Sequence, residues 1–298
     1  MTALLASGPF LCILCAFLWA VAVILFRLAG EHYSPVVLCL FKSVVGLALF
    51  AITMLVLGLS WWPDQISAGE IGVLFVSGIL GVGLADTLFF ASLNRLGAGR
   101  TALIDCLYSP FVLLFSVPYL GEPVGPALVA AIVLMAGAIA LGTWQSGGIA
   151  GPSGPSLRKG IVYGVLAMML MALAIVIAKP VITKSHPVWV TTVRLAGGVA
   201  ILLFQGLRSS YRAEVLRSFV PSPGWRIAIP ATLVGNYISI IVWVEGIRLT
   251  PVAIASVLNQ MSTLFVPVLA AVFLREQLGR RQWVALVIGF LAALLVLV

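Results

Sequence analysis

Arg95-Leu96-Gly97-Ala98-Gly99-Arg100-Thr101-Ala102 is answered 153 positions later by Arg248-Leu249-Thr250-Pro251-Val252-Ala253-Ile254-Ala255. The correspondence continues on both sides with offsets of 152 to 154. Ser34-Pro35 matches His186-Pro187, Lys42 matches Arg194, Ser109 matches Ser262, and Leu120-Gly121-Glu122 matches Leu274-Arg275-Glu276. The chain therefore carries one pattern twice, over residues 1–145 and 158–298. A Gly/Ser/Pro-rich linker over 146–157, with no periodic apolar face, joins the copies.

Composition says what surrounds the pattern. With 62% hydrophobic and 9% charged residues and a mean hydropathy of +1.19, the chain is no soluble globule, which carries roughly 25% charged residues. The apolar residues fall in blocks of about twenty, the length that crosses a bilayer as helix. These blocks place spans near 9–28, 34–57, 70–92, 101–120, 124–143, 160–180, 187–207, 226–247, 252–273 and 282–298. Lipid offers no partner to open backbone groups, so the expected fold is an all-α integral membrane protein. Five spans per copy is an odd number, so the second copy enters from the opposite side. That makes an inverted-topology repeat, an architecture in which ligand sites lie between the repeats near the midplane. The first segment lacks a basic leader and a small-residue cleavage site, so it reads as a span and not a cleavable signal.

Loop charge orients the spans. The odd-numbered loops and their flanks hold Arg27, Arg95, Arg100, Arg158, Lys159, Arg208, Arg212, Arg217, Arg226, Arg275, Arg280 and Arg281. The even-numbered loops hold Lys179, Lys184 and Arg248. Twelve against three puts the odd loops in the cytoplasm and both termini on the other side of the cell membrane. The formal charge of +8 then faces anionic lipid, and no nucleic-acid partner is expected. Within the loop from Arg208 to Trp225, Val215, Leu216 and Phe219 beside Arg212 and Arg217 fit either a short helix on the inner leaflet or a solvated basic loop. Cys12, Cys15, Cys39 and Cys106 all fall inside spans, and His32 and His186 are the only histidines. The Cys12-x-x-Cys15 pair has no second ligand pair, so neither a metal, a cofactor nor a disulfide is expected.

Charges inside spans carry the chemistry, because each costs about 2.5–3.5 kcal/mol at the bilayer centre on insertion scales and so faces a partner or a cavity. Lys42 lies ~12 Å and Asp86 ~13 Å from the inner ends of their helices by helical rise. They are opposite charges at one depth on consecutive helices. Arg194 enters ~10 Å from the other side, the image of Lys42, and Asp105 lies only ~7 Å in, within reach of Arg100 or Arg95. Lys42–Asp86 fits two uses, an ion pair that holds helices together or a site for solute or proton. For Asp105 the plainer use is a pair with Arg100. Polar stripes join them: Asp105, Tyr108, Ser109 and Ser116 on the fourth span, Ser256, Asn259, Gln260 and Thr263 on the ninth, and Asn236, Tyr237 and Ser239 on the eighth. Pro110 and Pro267 should break the fourth and ninth spans. Ala285, Gly289 and Ala293 form a small-residue face suited to close packing, within the fold in preference to a dimer, with a monomer or dimer both open. Glu245 and Arg248 are spaced as an i, i+3 pair. The Gly81-Val82-Gly83 run looks like a dinucleotide loop but sits in mid-span.

The duplication, Leu18-Trp19-Ala20 in the first span, the Arg95–Ala102 motif and Leu120-Gly121-Glu122 together resemble the EamA branch of the drug/metabolite transporter superfamily, over about residues 9–298. The resemblance implies ten helices in two inverted five-helix repeats around a central cavity lined by the first four helices of each. It also implies export or exchange of amino acids, related metabolites or drugs, and not an enzyme. Two features depart from the family. Many members keep both termini in the cytoplasm, against the charge count, and Arg275 replaces the usual small residue before Glu276.

Within that frame the expected cargo is a small polar or amphipathic, amino-acid-like metabolite moved by alternating access. Lys42 and Arg194 suit a carboxylate, and Asp86 or Asp105 an amine or proton. Tyr108, Asn236, Tyr237, Asn259 and Gln260 supply neutral hydrogen bonds and Trp19 an apolar wall. Two rivals exist. An intramembrane enzyme would use Asp86 and Asp105 to activate water, but the Gly-x-Gly-Asp sequence of such proteases is not matched. An exporter of hydrophobic drugs would leave these polar groups unpaired.

Overall fold

The computed structural model describes residues 7–30, 32–96, 101, 104–105, 107–143, 155–208, 211–274 and 280–295. Among them the regular structure is helical: α1 (Gly8–Ala29), α2 (Pro35–Val56), α3 (Ala68–Leu96), α4 (Tyr108–Leu120), α5 (Pro126–Thr143), α6 (Pro155–Lys184), α7 (Pro187–Arg208), α8 (Trp225–Leu249), α9 (Val252–Asn259 continued by Met261–Leu274) and α10 (Arg280–Leu295). A short helix, Arg212–Ser218, precedes α8. By length and apolarity α1, α2, α3, α6, α7 and α8 are each able to cross a membrane, and α4, α5, α9 and α10 are shorter apolar helices. The 146–157 linker lies almost wholly outside the described residues.

Local chemistry sets the helix ends. Prolines occupy the first turns of α1 and α2, where a missing N–H costs nothing. Ser67 and Glu70 form a reciprocal capping box on α3. Gly121, at φ +65°, closes α4 in the left-handed conformation that glycine adopts without strain.

Helix-to-helix contacts come in repeat-related pairs. α1 packs along α8 as α6 packs along α3, α1 meets α9 as α6 meets α4, and the pairs α2–α7, α4–α9 and α5–α10 each join a helix to its own image. Small residues make these approaches possible, and they too occur in pairs. A Cβ on Gly81 of α3 would lie 3.1 Å from the Ala174 Cβ of α6, and one on Gly235 of α8 would lie 2.6 Å from the Ala22 Cβ of α1. A Cβ on Gly160 would strike Leu96, and one on Gly8 would come within 2.9 Å of Leu249 Cβ. The π-helical segments agree as well: Ile79–Ala85 in α3 and Leu233–Ile238 in α8 start 154 positions apart.

The duplicated motif acquires a structural reason at the α8–α9 corner. Lys179 of α6 donates to the carbonyls of Ile247 and Thr250, the latter at 2.7 Å, at the carbonyl-rich end of α8. Glu122 accepts the Val252 and Ala253 N–H groups at 2.7 and 3.1 Å, at the start of α9. A cation on a helix C-terminus and an anion on an N-terminus satisfy orphan backbone groups and both helix dipoles.

Some expectations change. Lys179, counted above with a loop, lies within α6, which runs on through Pro180 to Lys184. Its head group ends on backbone carbonyls, which is why the apolar pattern gave no sign of it. α9 is interrupted at Gln260, whereas Pro267 sits in the unbroken piece Met261–Leu274. In the Arg212–Ser218 helix, Val215 is buried against the protein, whereas Leu216 is exposed. Gly289 of α10 turns inward, where a Cβ would come within 1.9 Å of Leu264, so the small-residue face packs inside the fold. Glu245 and Arg248 pair at 2.5 Å.

Candidate functional site

α2 carries Lys42 into the protein, where it is 2% exposed. Its Nζ donates to Asp86 Oδ2 at 2.5 Å, and the Phe26 and Phe90 rings stand 6.0 and 5.9 Å from it. Asp86 follows directly on the π segment of α3 and is 16% exposed. The pair is thus asymmetric: the cation is enclosed, and the carboxylate keeps an open edge. Trp19 continues the aromatic row, 6.5 Å from Phe26, which in turn meets Phe90 at 6.3 Å. From α8, Asn236 Nδ2 donates to the Lys42 carbonyl at 2.8 Å. Gly46 makes room, since a Cβ there would fall 2.3 Å from that nitrogen.

Arg194, the image of Lys42, has different surroundings. Its Nε donates to Ser77 Oγ at 3.0 Å, and the Ser77 hydroxyl in turn donates a hydrogen bond to the Ala174 carbonyl at 2.6 Å. Among the described residues no carboxylate is within ion-pair distance of it; Asp86 and Tyr108 act on it only through space. The backbone of α7 reaches this position because Gly78 has no side chain: a Cβ there would lie 1.8 Å from the Arg194 carbonyl oxygen. The glycines of the dinucleotide-like run are therefore packing sites, Gly81 against α6 and Gly83 against α7.

The remaining sequence candidates fall in two places. Tyr108 is buried and feels the charges of Arg194 and Asp105. Gln260 Nε2 donates to the Asp105 carbonyl at 2.6 Å, so the interruption in α9 touches the approach to α4. Asn259 Oδ1 is buried without a hydrogen-bond partner. Tyr237 stands apart, bonded to Thr53 and packed edge-on against Phe50 at 4.9 Å. The Asp105–Arg95 pair does not form: Arg95 donates to the Ala91 carbonyl and stacks over Tyr163 at 5.0 Å. Arg100 lies outside the described residues.

Sequence reasoning missed Ser77, Phe26, Phe90 and the packing glycines. A serine in mid-span was a usable signal; phenylalanine among apolar residues gives none. Cys12, Cys15 and Cys39 are buried free thiols, with Cys15 Sγ 3.3 Å from Ser239 Oγ.

A model of the EamA-like transporter family matches residues 6–144 and again 158–298. The chain belongs to that family. It is a multi-pass membrane protein of a family that transports small molecules. It is 28% identical over 256 residues to Protein PecM of Dickeya dadantii (strain 3937), covering 84% of this chain and 80% of the relative. A protein of known crystal structure shares the fold with a TM-score of 0.75 at 19% identity, over 97% of this chain and 95% of that one.

Proposed function

We propose that the protein is an alternating-access carrier that exports or exchanges a small polar or amphipathic, amino-acid-like metabolite across the cell's inner membrane. The observation that carries this reading is Arg194. A guanidinium half-buried within an apolar span, held by one serine and matched by no carboxylate among the described residues, is completed by a ligand carboxylate, which it can bind in a planar, two-pronged fashion. Asp86, paired with Lys42 and open at one edge, supplies the complementary contact for an amine. Lys42 acts through Asp86, with Tyr108, Asn236, Asn259 and Gln260 as neutral partners and Trp19 as apolar wall.

The uneven packing of the repeats supports alternating access. α7 lies closely along the first two segments of α3, while the image contact of α2 with α8 is thinner. A carrier caught in one of its two end states has this inequality, because one repeat-related seam is closed when the other is open. On this reading ten helices span the bilayer, both termini are non-cytoplasmic, and a reporter after Val298 lies outside while one in the Arg208–Trp225 loop lies inside. The opposite labelling would reverse the sidedness of every site.

The test is counterflow in proteoliposomes preloaded with amino acids. Wild type should accumulate labelled amino acid against matched unlabelled solute, and Arg194→Gln should not. Counterflow that survives Asp86→Asn, Lys42→Met and Arg194→Gln unchanged would falsify the site while leaving the fold intact.

A further inference from the structure

Ser77 stands between two helices with both sides of its hydroxyl in use. Its O–H donates to the Ala174 carbonyl of α6 at 2.6 Å, and its oxygen accepts the Arg194 Nε–H of α7 at 3.0 Å. A serine has one hydroxyl proton, so with that proton on the carbonyl the oxygen can only accept from Arg194. The serine is fully buried, and the guanidinium it holds is half-buried.

Gly81, one turn further along α3, backs the same side chain: a Cβ there would lie 3.5 Å from Arg194 Nη2. α3 therefore runs along the Nε and Nη2 nitrogens. A guanidinium can grip a carboxylate with two parallel hydrogen bonds along either of two edges. One edge uses Nε with a terminal nitrogen, and the other uses both terminal nitrogens. Ser77 takes the first. Among the described residues the hydrogen bond of Arg194 leaves from Nε, so the second edge, Nη1 with Nη2, remains for a ligand.

The other repeat shows what the serine adds. The π segments Ile79–Ala85 and Leu233–Ile238 align Ser77 with Ala231 and Gly81 with Gly235. Gly81 faces Ala174 as Gly235 faces Ala22, and Ala231 is as buried as Ser77. The backbones thus match, and the hydroxyl is present only in the repeat whose cation has an Nε–H to hold. Lys42 has no such group and goes to Asp86.

We propose that Ser77 is a positioning residue for solute binding. It acts through Arg194, fixing Nε toward α3 so that Nη1 and Nη2 meet the solute carboxylate end-on. The inference rests on the carrier reading above, in which Arg194 receives that carboxylate. It adds a specificity: a carboxylate fills both prongs, whereas a carboxamide offers one acceptor oxygen and turns an N–H toward the other.

Counterflow of a labelled amino acid is measured at several concentrations, with the unlabelled acid and its carboxamide as competitors. Ser77→Ala copies the residue that the other repeat already carries, so the fold should tolerate it. It should raise the apparent KM about threefold to tenfold, the factor by which ordering one rotamer-rich side chain weakens binding, at a little-changed maximal rate. The preference for acid over amide should fall by a similar factor. In an Arg194→Lys background, which has no Nε–H, Ser77→Ala should add nothing to KM. An unchanged KM and acid preference in Ser77→Ala, or an equal loss in the Arg194→Lys background, overturns the inference and leaves the carrier reading standing. Wild type without amino-acid counterflow overturns both.

Discussion

Lys42 and Arg194 occupy equivalent places in the two repeats, yet one is sealed and the other open. Lys42 lies between two phenylalanine rings with its charge answered by Asp86. Arg194 lies against serine and glycine with its charge unanswered by any described carboxylate. The same divergence appears one turn away. Asn236 fills the space over Gly46 and bonds the Lys42 carbonyl, while Val82, its image, fills the space over Gly198 with methyl groups. Duplication kept the backbone approach in both halves, and side-chain change then left one cation paired with a carboxylate and the other without one among the described residues.

The sharpest way to break this comparison is to remove one half of the pair. Lys42→Met or Asp86→Asn alone strands a buried charge, which costs about 3–5 kcal/mol. Each should lower folded yield and thermal stability, and the double variant should recover most of the loss. Strictly additive losses in that cycle would mean the pair is not coupled.

Arg194→Gln should behave oppositely, with little change in stability and counterflow at least tenfold weaker, since a hydrogen bond to a charged group contributes about 1.5–3 kcal/mol. Arg194→Lys should restore only part, because an ammonium lacks the two-pronged geometry. If Arg194→Gln instead unfolds the protein as Lys42→Met does, the two sites are alike and the distinction fails.

Gly235→Ala and Gly81→Ala test the shared backbone design. Their Cβ atoms would lie 2.6 Å and 3.1 Å from the opposing alanines, so overpacking should cost about 1–3 kcal/mol in the first and less in the second. Equal stability of both variants and wild type in detergent melts would show that the helices slide apart freely. The smallest effect is expected of Asn236→Val, which copies the other repeat. It removes one hydrogen bond and one orphaned oxygen together, so stability should move by no more than about 1 kcal/mol.

Much of the frame was legible because helices in lipid obey few rules. Block length marked where helices lie, odd span count implied inversion, and equal depth paired Lys42 with Asp86 before any coordinates. The site was only half legible. Asp105 looked like a partner for Arg100 or Arg95 because they are near in sequence; Arg95 instead takes a carbonyl and an aromatic face, and Arg100 lies outside the described residues. Pro267 marked a break that falls instead at Gln260, since a neighbouring helix can absorb a freed carbonyl. Ser77 and the glycines of α3 looked ordinary, because their role exists only where α6 and α7 cross them.

The sequence by itself determined that this is a duplicated, all-helical membrane protein of the EamA-like family, with charges placed deep in its second, third and seventh spans. Periodicity, length and charge act along one chain, so one chain is enough to read them. Only the tertiary structure decided which of those charges is answered. Burial and pairing depend on distances between helices far apart in sequence, and a shift of a few ångströms there separates a sealed ion pair from an open guanidinium.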